Sequence, residues 1–426
     1  MYRFIILVIT VALSCNIYGQ GESLSLSSAL ELALENNYGI KIAAKDSEVA
    51  GINNDWGAAG RYPTVGFDAT SSNNQNFSDK VFTSRLNAGI GLRWTIFDGF
   101  KVSLTKDKLG QLEDLARGRE ELVIESTIED VILGYYQVIL NEKRLAVLEK
   151  VMTLSEDRYK YEQTRQEFGN AVTYNVLQAK NNYLNDKATY LNQQVTYRNS
   201  VRSLNFMMGL ENNMVWSLTE EFIADVADYQ VSDLLDKMMS GNRSLMNQYI
   251  SIVLAQNASE LSESNFFPSL SLSAGLDNSN NFLPELSRGS SLSAYANVTF
   301  AYDIYQAGQR KRAVEIAKID ESITGVEEEE MKRSLTNQLL SLFDMYNVRK
   351  ELLSISGENL EAAELNMQIA EEKYRSGAIN SFNYRDIQLI YLNAAYQEIQ
   401  SVYNLISSQT SLTRITGGFI KPGSDK

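Results

Sequence analysis

WTIFDGFK (94–101) is the stretch that decides the fold, because it returns about 208 residues later as YDIYQAGQ (302–309). Two further pairs of stretches repeat in the same order and at nearly the same spacing: EFGNAVTYN (167–175) with RSGAINSFN (375–383), and RYPTVGFDA (61–69) with FFPSLSLSA (266–274). Several islands at one spacing indicate that a whole structural unit is duplicated, and this unit is far longer than a solenoid repeat. We therefore expect one fold made of two equivalent halves.

The residues around the first repeated stretch alternate between apolar and small or polar side chains with a period of two. This alternation predicts four strands, at about 64–72, 84–97, 269–277 and 290–305. We expect the aromatic residues at the strand ends to lie at a membrane interface, namely Trp94, Phe97, Tyr302 and Tyr305. A soluble antiparallel sheet with one wet face gives the same alternation, so this alternative stays open for each strand taken alone.

Two features favour a transmembrane barrel over the soluble sheet. The strands form two isolated hairpins, each of which is only marginally stable by itself, and the predicted helices are committed to coiled coils. Four strands cannot close a barrel, and open edges are not tolerated in lipid. The smallest outer membrane barrels have about eight strands. Two chains would supply eight strands and three would supply twelve, and the long helices favour the wider assembly.

Long helices are predicted on both sides of the repeated glycine stretches. Between Pro63 and Pro268 about 204 residues contain no proline, which permits very long helices. Apolar residues on a 3-4 heptad ladder predict coiled-coil seams in these segments. The expected long helices are 101–167, 173–208, 309–376 and 381–415. Glycine is unfavourable inside helices, so Gly110, Gly118 and Gly134 predict bends or breaks in the first of them.

Shorter helices are predicted ahead of the strands of each repeat, at 25–36, 41–59, 231–241 and 244–264. Ser25 caps the first of them.

Along the chain, the sequence predicts five parts. The parts are a signal peptide (1–19), a first repeat (20–208), a connecting side element (209–230), a second repeat (231–416) and a short tail (417–426).

The first residues carry the pattern of a secretory signal. Met1-Tyr2-Arg3 is followed by a largely apolar run of ten residues (4–13) and then by small and polar residues, and ten residues are too few to span a bilayer as a helix. We expect cleavage after Gly19. In an alternative interpretation Cys15 becomes a lipid-bearing N-terminus.

The composition excludes several classes of function. The chain contains no histidine, and a chain cleaved after Gly19 contains no cysteine. Disulfides, zinc sites of the usual ligands and Ser-His or Cys-His nucleophiles are therefore excluded, and we expect neither an enzyme nor a bound cofactor or metal. The net charge is −14 and no basic patch occurs, so a nucleic acid partner is not expected.

The duplicated helix-strand-strand-helix halves resemble the TolC-like outer membrane efflux proteins over nearly the whole mature length. Two motifs carry the resemblance: TIFDGF (95–100) at the end of the second strand, and YRSGAINSFNYRD (374–386) at the second helical turn. The fold it implies is mainly α with a transmembrane β-barrel portion. In this fold a homotrimer forms a 12-stranded barrel, with four strands per chain, which continues as a long α-helical coiled-coil barrel. The implied partners are a periplasmic adaptor (membrane fusion) protein, an inner-membrane transporter and outer membrane lipid.

The resemblance also implies roles for residues at the two helical turns. Candidates for the pore constriction are Asp386, Asn383, Asn175 and Tyr374. In a trimer, Asp386 would form a ring of three carboxylates, and such rings select cations. The family's latch arginine is replaced by Ile379, so the known latch is not reproduced.

The turns themselves are predicted at Gly169 and Gly377, because a glycine of positive φ ends a helix well. Thr173 and Ser381 are predicted N-caps of the returning helices. From the resemblance, these four residues are candidates for the periplasmic tip that contacts the adaptor.

The function expected from these observations is a channel subunit in the outer membrane of a Gram-negative cell, with a periplasmic extension. It would act as the passive exit duct of a tripartite efflux or type I secretion system. The alternative hypothesis is a periplasmic coiled-coil scaffold or interaction protein with soluble hairpins. An enzyme that uses carboxylates has no paired-acid motif to support it. The sequence does not identify the exported compound, the adaptor or the pump.

Overall fold

The computed structural model describes residues 22–78, 81–282 and 289–420. The predicted signal peptide with Cys15 lies outside the described residues, as do residues 421–426 of the predicted tail. In chain order the elements are β1 (Glu22–Leu24), α1 (Leu26–Asn36), α2 (Tyr38–Asn53), β2 (Thr64–Asn76), β3 (Val81–Phe97), α3 (Lys101–Glu167), α4 (Thr173–Met207), β4 (Trp216–Leu218), α5 (Val231–Gly241), α6 (Arg243–Glu263), β5 (Ser269–Phe282), β6 (Gly289–Ala301), α7 (Gln309–Arg375) and α8 (Ser381–Ile415).

The chain divides into two compact units, and both sequence halves contribute to each. The first unit contains the described residues of Met1–Lys41, Val123–Asn242 and Leu335–Lys426, and the second contains those of Ile42–Leu122 and Arg243–Ser334. The boundary between the repeats is therefore not the boundary between the units.

The second unit holds a four-stranded antiparallel sheet in the order β2-β3-β5-β6. The pairing of β3 with β5, with Ile90 opposite Leu276, joins the hairpins of the two repeats. Strands β2 and β6 are the edges. The strands run further toward the hairpin tips than period-two alternation indicates, since Asn74 pairs with Thr83 and Asn280 with Ser290. A ladder needs only backbone donors and acceptors, so Ser and Asn side chains do not stop it.

Strand β6 ends earlier than its alternation indicates. The last pair is Ser269 with Ala301, so Tyr302 would face Pro268, which has no N–H to donate. The equivalent residue of the first repeat, Trp94, stays in strand β3 because β3 is central and pairs on both sides.

The paired helices of the two repeats have equal lengths, 67 residues for α3 and α7 and 35 for α4 and α8. Helix α3 continues through Gly118 and Gly134, and also through Gly110, so no break occurs there. A Cβ at Gly118 would overlap the Asn247 amide, and one at Gly134 would lie 2.9 Å from the Met207 Sδ. These two glycines make room for a neighbouring helix. None of the described helices combines the length and the apolar character needed to cross a membrane.

The core of the first unit fixes the connecting element between the repeats. Strand β4 in this element pairs in parallel with β1. The buried Tyr135 hydroxyl donates to the Leu24 carbonyl (2.7 Å) and accepts from the Thr219 N–H (3.1 Å). On α7, the buried Tyr346 hydroxyl donates to the Ala227 carbonyl (2.7 Å) and accepts from the Ala227 N–H (2.9 Å).

The Ser25 side chain caps α1, which confirms that prediction.

Candidate functional site: the two glycine turns and the polar cluster beside them

The two helical hairpins of the first unit end in turns of the same backbone geometry. Gly169 has φ +74° and Gly377 has φ +77°. In the first turn the Gly169 N–H donates to the Gln166 carbonyl (2.9 Å) and the Asn170 N–H to the Arg165 carbonyl (2.7 Å). A Cβ at either glycine would find no atom within 4 Å, so the need for glycine is its positive φ rather than space.

The second turn repeats both hydrogen bonds but differs from the first in its N-cap. The N-caps are Val172 and Asn380, so the N-cap predictions for Thr173 and Ser381 are wrong by one residue. Asn380 Oδ1 accepts from two backbone N–H groups of α8, whereas Val172 has no capping side chain. The Thr173 hydroxyl instead accepts from the Gln166 amide (3.0 Å).

Apolar side chains surround the two turns and are exposed in this chain. Phe168 and Val172 are 76% and 64% exposed. Tyr174 and Phe382, which are equivalent residues of the two repeats, lie with their ring centroids 6.5 Å apart. We call these four residues the turn surface. Because Tyr174 and Phe382 are in contact, the two turns present their apolar side chains side by side.

Tyr374, a predicted constriction residue, is buried beside the second turn. Its hydroxyl donates to the Glu162 carboxylate (2.6 Å), and its ring stacks on Tyr384 with centroids 4.8 Å apart. Burial, together with the bond to Glu162, raises the pKa of the Tyr374 hydroxyl far above its ordinary value. Burial also raises the pKa of Tyr384 to about 12. Both tyrosines are therefore neutral near neutral pH.

A largely buried ion pair links the two helical hairpins. The Arg385 guanidinium donates to both carboxylate oxygens of Asp186 at 2.7 Å. Two parallel charge-assisted hydrogen bonds make this the strongest type of pair that side chains form. The pair joins helix α4 of the first repeat to helix α8 of the second.

Next to this pair lies a second buried arginine, Arg158, which is 3% exposed. None of its three guanidinium nitrogens has a hydrogen-bond partner among the described residues. Burial lowers the pKa of Arg158 from its ordinary value, although an arginine stays charged in proteins. A cleft of about 460 Å³ opens beside it.

The other predicted constriction residues lie on the surface of the hairpins. Asp386 and Asn383 are exposed and share a face of α8, while Asn175 is half-buried near the start of α4. Among the described residues no side-chain hydrogen bond, ion pair or ring contact joins any of these three to Tyr374. Their place in a pore remains a prediction.

The predicted membrane-interface aromatics lie near one end of the sheet in the second unit. The Trp94 indole N–H donates to the Arg61 carbonyl (3.0 Å), and Phe97 packs edge to face on Phe100. Tyr302 and Tyr305 follow the end of β6 and are exposed. Their membrane role remains a prediction.

Sequence reasoning missed the polar cluster of Arg158, Glu162, Asp186 and Arg385. On a helix these charged residues look like solvated side chains. The spacing of Arg158 and Glu162 even suggests an ordinary surface pair across one helical turn. The Arg385–Asp186 pair joins residues 199 positions apart, which no local pattern announces.

Comparisons with known proteins agree with this architecture. The sequence profile of the outer membrane efflux protein family matches residues 29–210 and 234–418. The probable efflux pump outer membrane protein TtgC of Pseudomonas putida is 21% identical over 407 residues, which are 92% of this chain and 83% of the relative. Two solved structures share the fold at 16% identity and a TM-score of 0.75. They are CusC (95% of this chain, 96% of that chain) and the outer membrane channel CmeC of Campylobacter jejuni (96% and 92%).

The chain therefore belongs to the outer membrane efflux protein family, a family of outer membrane channel proteins. It resides in the outer membrane of a Gram-negative cell, with its helical extension in the periplasm. Its function is that of the outer membrane exit duct of an efflux pump. The resemblance deduced from the sequence is confirmed.

Proposed function

We propose that three copies of this chain together form one passive exit duct. The observation that carries this proposal is the four-stranded sheet with open edges at β2 and β6. In lipid, every backbone polar group must be paired internally, so these edges need strands from other copies. Three chains would supply twelve strands, which is wide enough for a water channel.

The outward side chains of the sheet support this arrangement. Apolar residues along β2 and β6 are more than two-thirds exposed in the single chain, among them Phe67, Val298 and Phe300. In water this apolar surface would be costly to leave uncovered. In a closed barrel, the lipid on the outer face covers this apolar surface and removes it from water.

Exposed apolar residues at heptad spacing on the helices support packing between copies. Helix α4 carries one such stripe, which consists of Leu177, Leu184, Leu191 and Val195. Helix α7 carries another, which consists of Met345, Val348, Leu352 and Ile355. Such stripes are coiled-coil seams without a partner within the described chain, and a second copy would cover them.

We further propose that the turn surface, with Gly169, Thr173, Gly377 and the buried Ser381, docks a periplasmic adaptor that is joined to an inner-membrane transporter. The exposure of four large apolar side chains at two adjacent turns supports this role, because apolar residues clustered at a surface mark interaction sites. The duct itself performs no chemical step in this proposal, and the transporter supplies the energy.

We also propose that Asp386 and Asn383 face the duct near its periplasmic end, with Asn175 beside them. Their exposure on the hairpin surface supports this. Tyr374 would act from behind, as it is buried against Glu162. Ile379 stands where relatives carry a latch arginine, so closure in this chain would depend on other contacts.

Cysteine cross-linking in membranes tests the trimer. A chain cleaved after Gly19 has no cysteine, so Ala69→Cys on β2 combined with a cysteine scanned along β6, from Leu292 to Val298, would report contacts between copies. We expect one register to give covalent trimers, and single variants to give at most dimers. A protein that stays monomeric at every register, and is released from membranes without detergent, contradicts the proposal.

Single-channel recording in planar bilayers tests the carboxylate ring. We expect Asp386→Asn to reduce cation preference severalfold, because three charges leave the pore together. Asp225→Asn in the connecting element removes the same charge elsewhere and should leave selectivity unchanged. Equal effects of the two variants would remove Asp386 from the pore.

A further inference from the structure

We propose that the cleft beside Arg158 binds an organic monocarboxylate, which is a ligand site that the exit-duct function does not require. The Arg158 cleft is lined by Leu154, Asp157, Arg158, Tyr161, Glu371, Tyr374, Arg375 and Tyr384. All eight residues belong to the first unit, on helices α3, α7 and α8.

The first argument is the incomplete hydrogen bonding of Arg158. Its side chain is almost fully buried, yet none of its guanidinium nitrogens has a partner among the described residues. A buried donor without an acceptor is destabilising, and more so when the group is charged. An acceptor that enters the cleft would relieve this cost.

The second argument is that most neighbouring charged groups already have partners or are solvated. Asp186 accepts both bonds from Arg385. Glu162 accepts from Tyr374 and lies 3.6 Å from Arg165, although its second carboxylate oxygen has no hydrogen-bond partner among the described residues. Glu371 pairs with Arg375 (2.6 Å), and Asp157 is exposed to solvent. Arg158 is attracted electrostatically to Glu162 and Asp186 but forms no hydrogen bond to either, so its guanidinium donors have no acceptor among the described residues.

The type of ligand follows from the lining. The planar guanidinium matches a carboxylate through two parallel hydrogen bonds. One guanidinium with unbonded donors, in a cleft that also carries Asp157 and Glu371, favours a monoanion over a phosphate or sulfate dianion. The rings of Tyr161, Tyr374 and Tyr384 provide flat apolar walls, and about 460 Å³ admits a drug-sized or smaller molecule. A carboxylate on a planar apolar body meets all three conditions.

The test is isothermal titration calorimetry on the detergent-purified full-length protein, with sodium benzoate as the probe. We expect saturable binding of one benzoate per chain and no binding of benzamide, which has the same shape without the charge. Arg158→Gln should weaken benzoate binding at least about tenfold, because a charge-assisted bond is lost. Arg202→Gln makes the same charge change on an exposed residue of α4 and should leave binding unchanged.

Leu154→Trp keeps Arg158 but fills the cleft, so it should also abolish benzoate binding; this variant keeps the test decisive if Arg158→Gln does not fold. Benzoate binding that is absent, or that survives both variants, overturns the proposal. Absent binding together with a lower dissociation temperature of the Arg158→Gln oligomer would also overturn it. In that case the group that accepts from Arg158 is a carboxylate side chain of a second copy of this chain.

Discussion

The turns at Gly169 and Gly377 close with the same two backbone hydrogen bonds but are anchored very differently. The second turn has a capping side chain at Asn380 and a buried tyrosine at Tyr374, which bonds to Glu162. In the first turn the N-cap residue is Val172, whose side chain forms no capping hydrogen bond, and Gln166 stands in place of the tyrosine. The two turns thus share the backbone that glycine permits, whereas the side chains that anchor them differ between the two halves.

Breaking the Asp186–Arg385 pair between the two hairpins should give the largest loss of stability. Asp186→Ala leaves Arg385 buried without a partner, so the free energy of local opening should fall by about 3 kcal/mol. Hydrogen–deuterium exchange in peptides from α4 and α8 measures this opening. Glu156→Ala breaks an exposed pair with Lys160 and should cost far less. Similar values for the two variants would show that the hairpins do not depend on the buried pair.

Tyr374→Phe tests the anchor that only the second turn has. The substitution removes the hydroxyl that donates to the buried Glu162, so the second turn should be destabilised by about 2 kcal/mol. Exchange in a peptide that covers 366–381 reports this change. Tyr174→Phe removes a hydroxyl from an exposed ring and should have no measurable effect. If the second turn opens no faster in Tyr374→Phe, its anchoring lies elsewhere.

Gly169→Ala and Gly377→Ala test what the two turns share. Both glycines have positive φ and open space, so each alanine should cost about 1 to 2 kcal/mol through backbone strain alone. Exchange protection at the two turns should fall by similar amounts. A large difference between the two variants is incompatible with a common backbone requirement.

The caps should give a smaller difference between the turns. Asn380→Ala removes the acceptor for two N–H groups and should destabilise the start of α8 by about 1 kcal/mol. Val172→Ala removes no cap and should change the start of α4 little. Val172→Asn should even stabilise it. Exchange at the first turn of each helix distinguishes these outcomes, and equal losses in the two alanine variants would refute the assigned caps.

A loss of stability in alkali should be the smallest effect. Burial raises the pKa of Tyr384 from about 10 to about 12, so its protonated form is favoured in the fold. This contribution is complete below about pH 10 and is lost as the pH rises toward 12. At about pH 10.5 the loss is roughly 0.8 kcal/mol, since one pKa unit corresponds to about 1.4 kcal/mol. The midpoint temperature of thermal unfolding should therefore fall less between pH 9 and 10.5 in Tyr384→Phe than in the unchanged protein. Parallel curves of midpoint temperature against pH would exclude the pKa shift.

Local patterns were enough to predict the long helices and the two hairpins, whereas the helix expected at 41–59 lies at Tyr38–Asn53. Helices α3 and α8 begin and end where heptad spacing and the turn glycines indicate, and α5 is equally well placed. The end of β6 could not be read from alternation, because it depends on Pro268, which immediately precedes the neighbouring strand β5. The reason for a glycine at position 118 likewise lies in another element, because a Cβ there would overlap Asn247.

The candidate site was only partly predictable. The positive φ of Gly169 and Gly377 follows from residue type and helix ends. The partners of Tyr374 and Arg385 do not, because each lies about 200 residues away along the chain. The burial of Arg158 is hidden for the same reason.

What the amino-acid sequence determined alone is the duplication, the helix and strand periods, and the membership of an outer membrane efflux family. These features are local or repeated, so spacing and residue type are enough to reveal them. What the tertiary structure decided is which charges are buried and paired, where β6 stops and which turn is anchored. These outcomes depend on the free energy of contacts between distant residues, and that energy exists only when the helices and strands have packed.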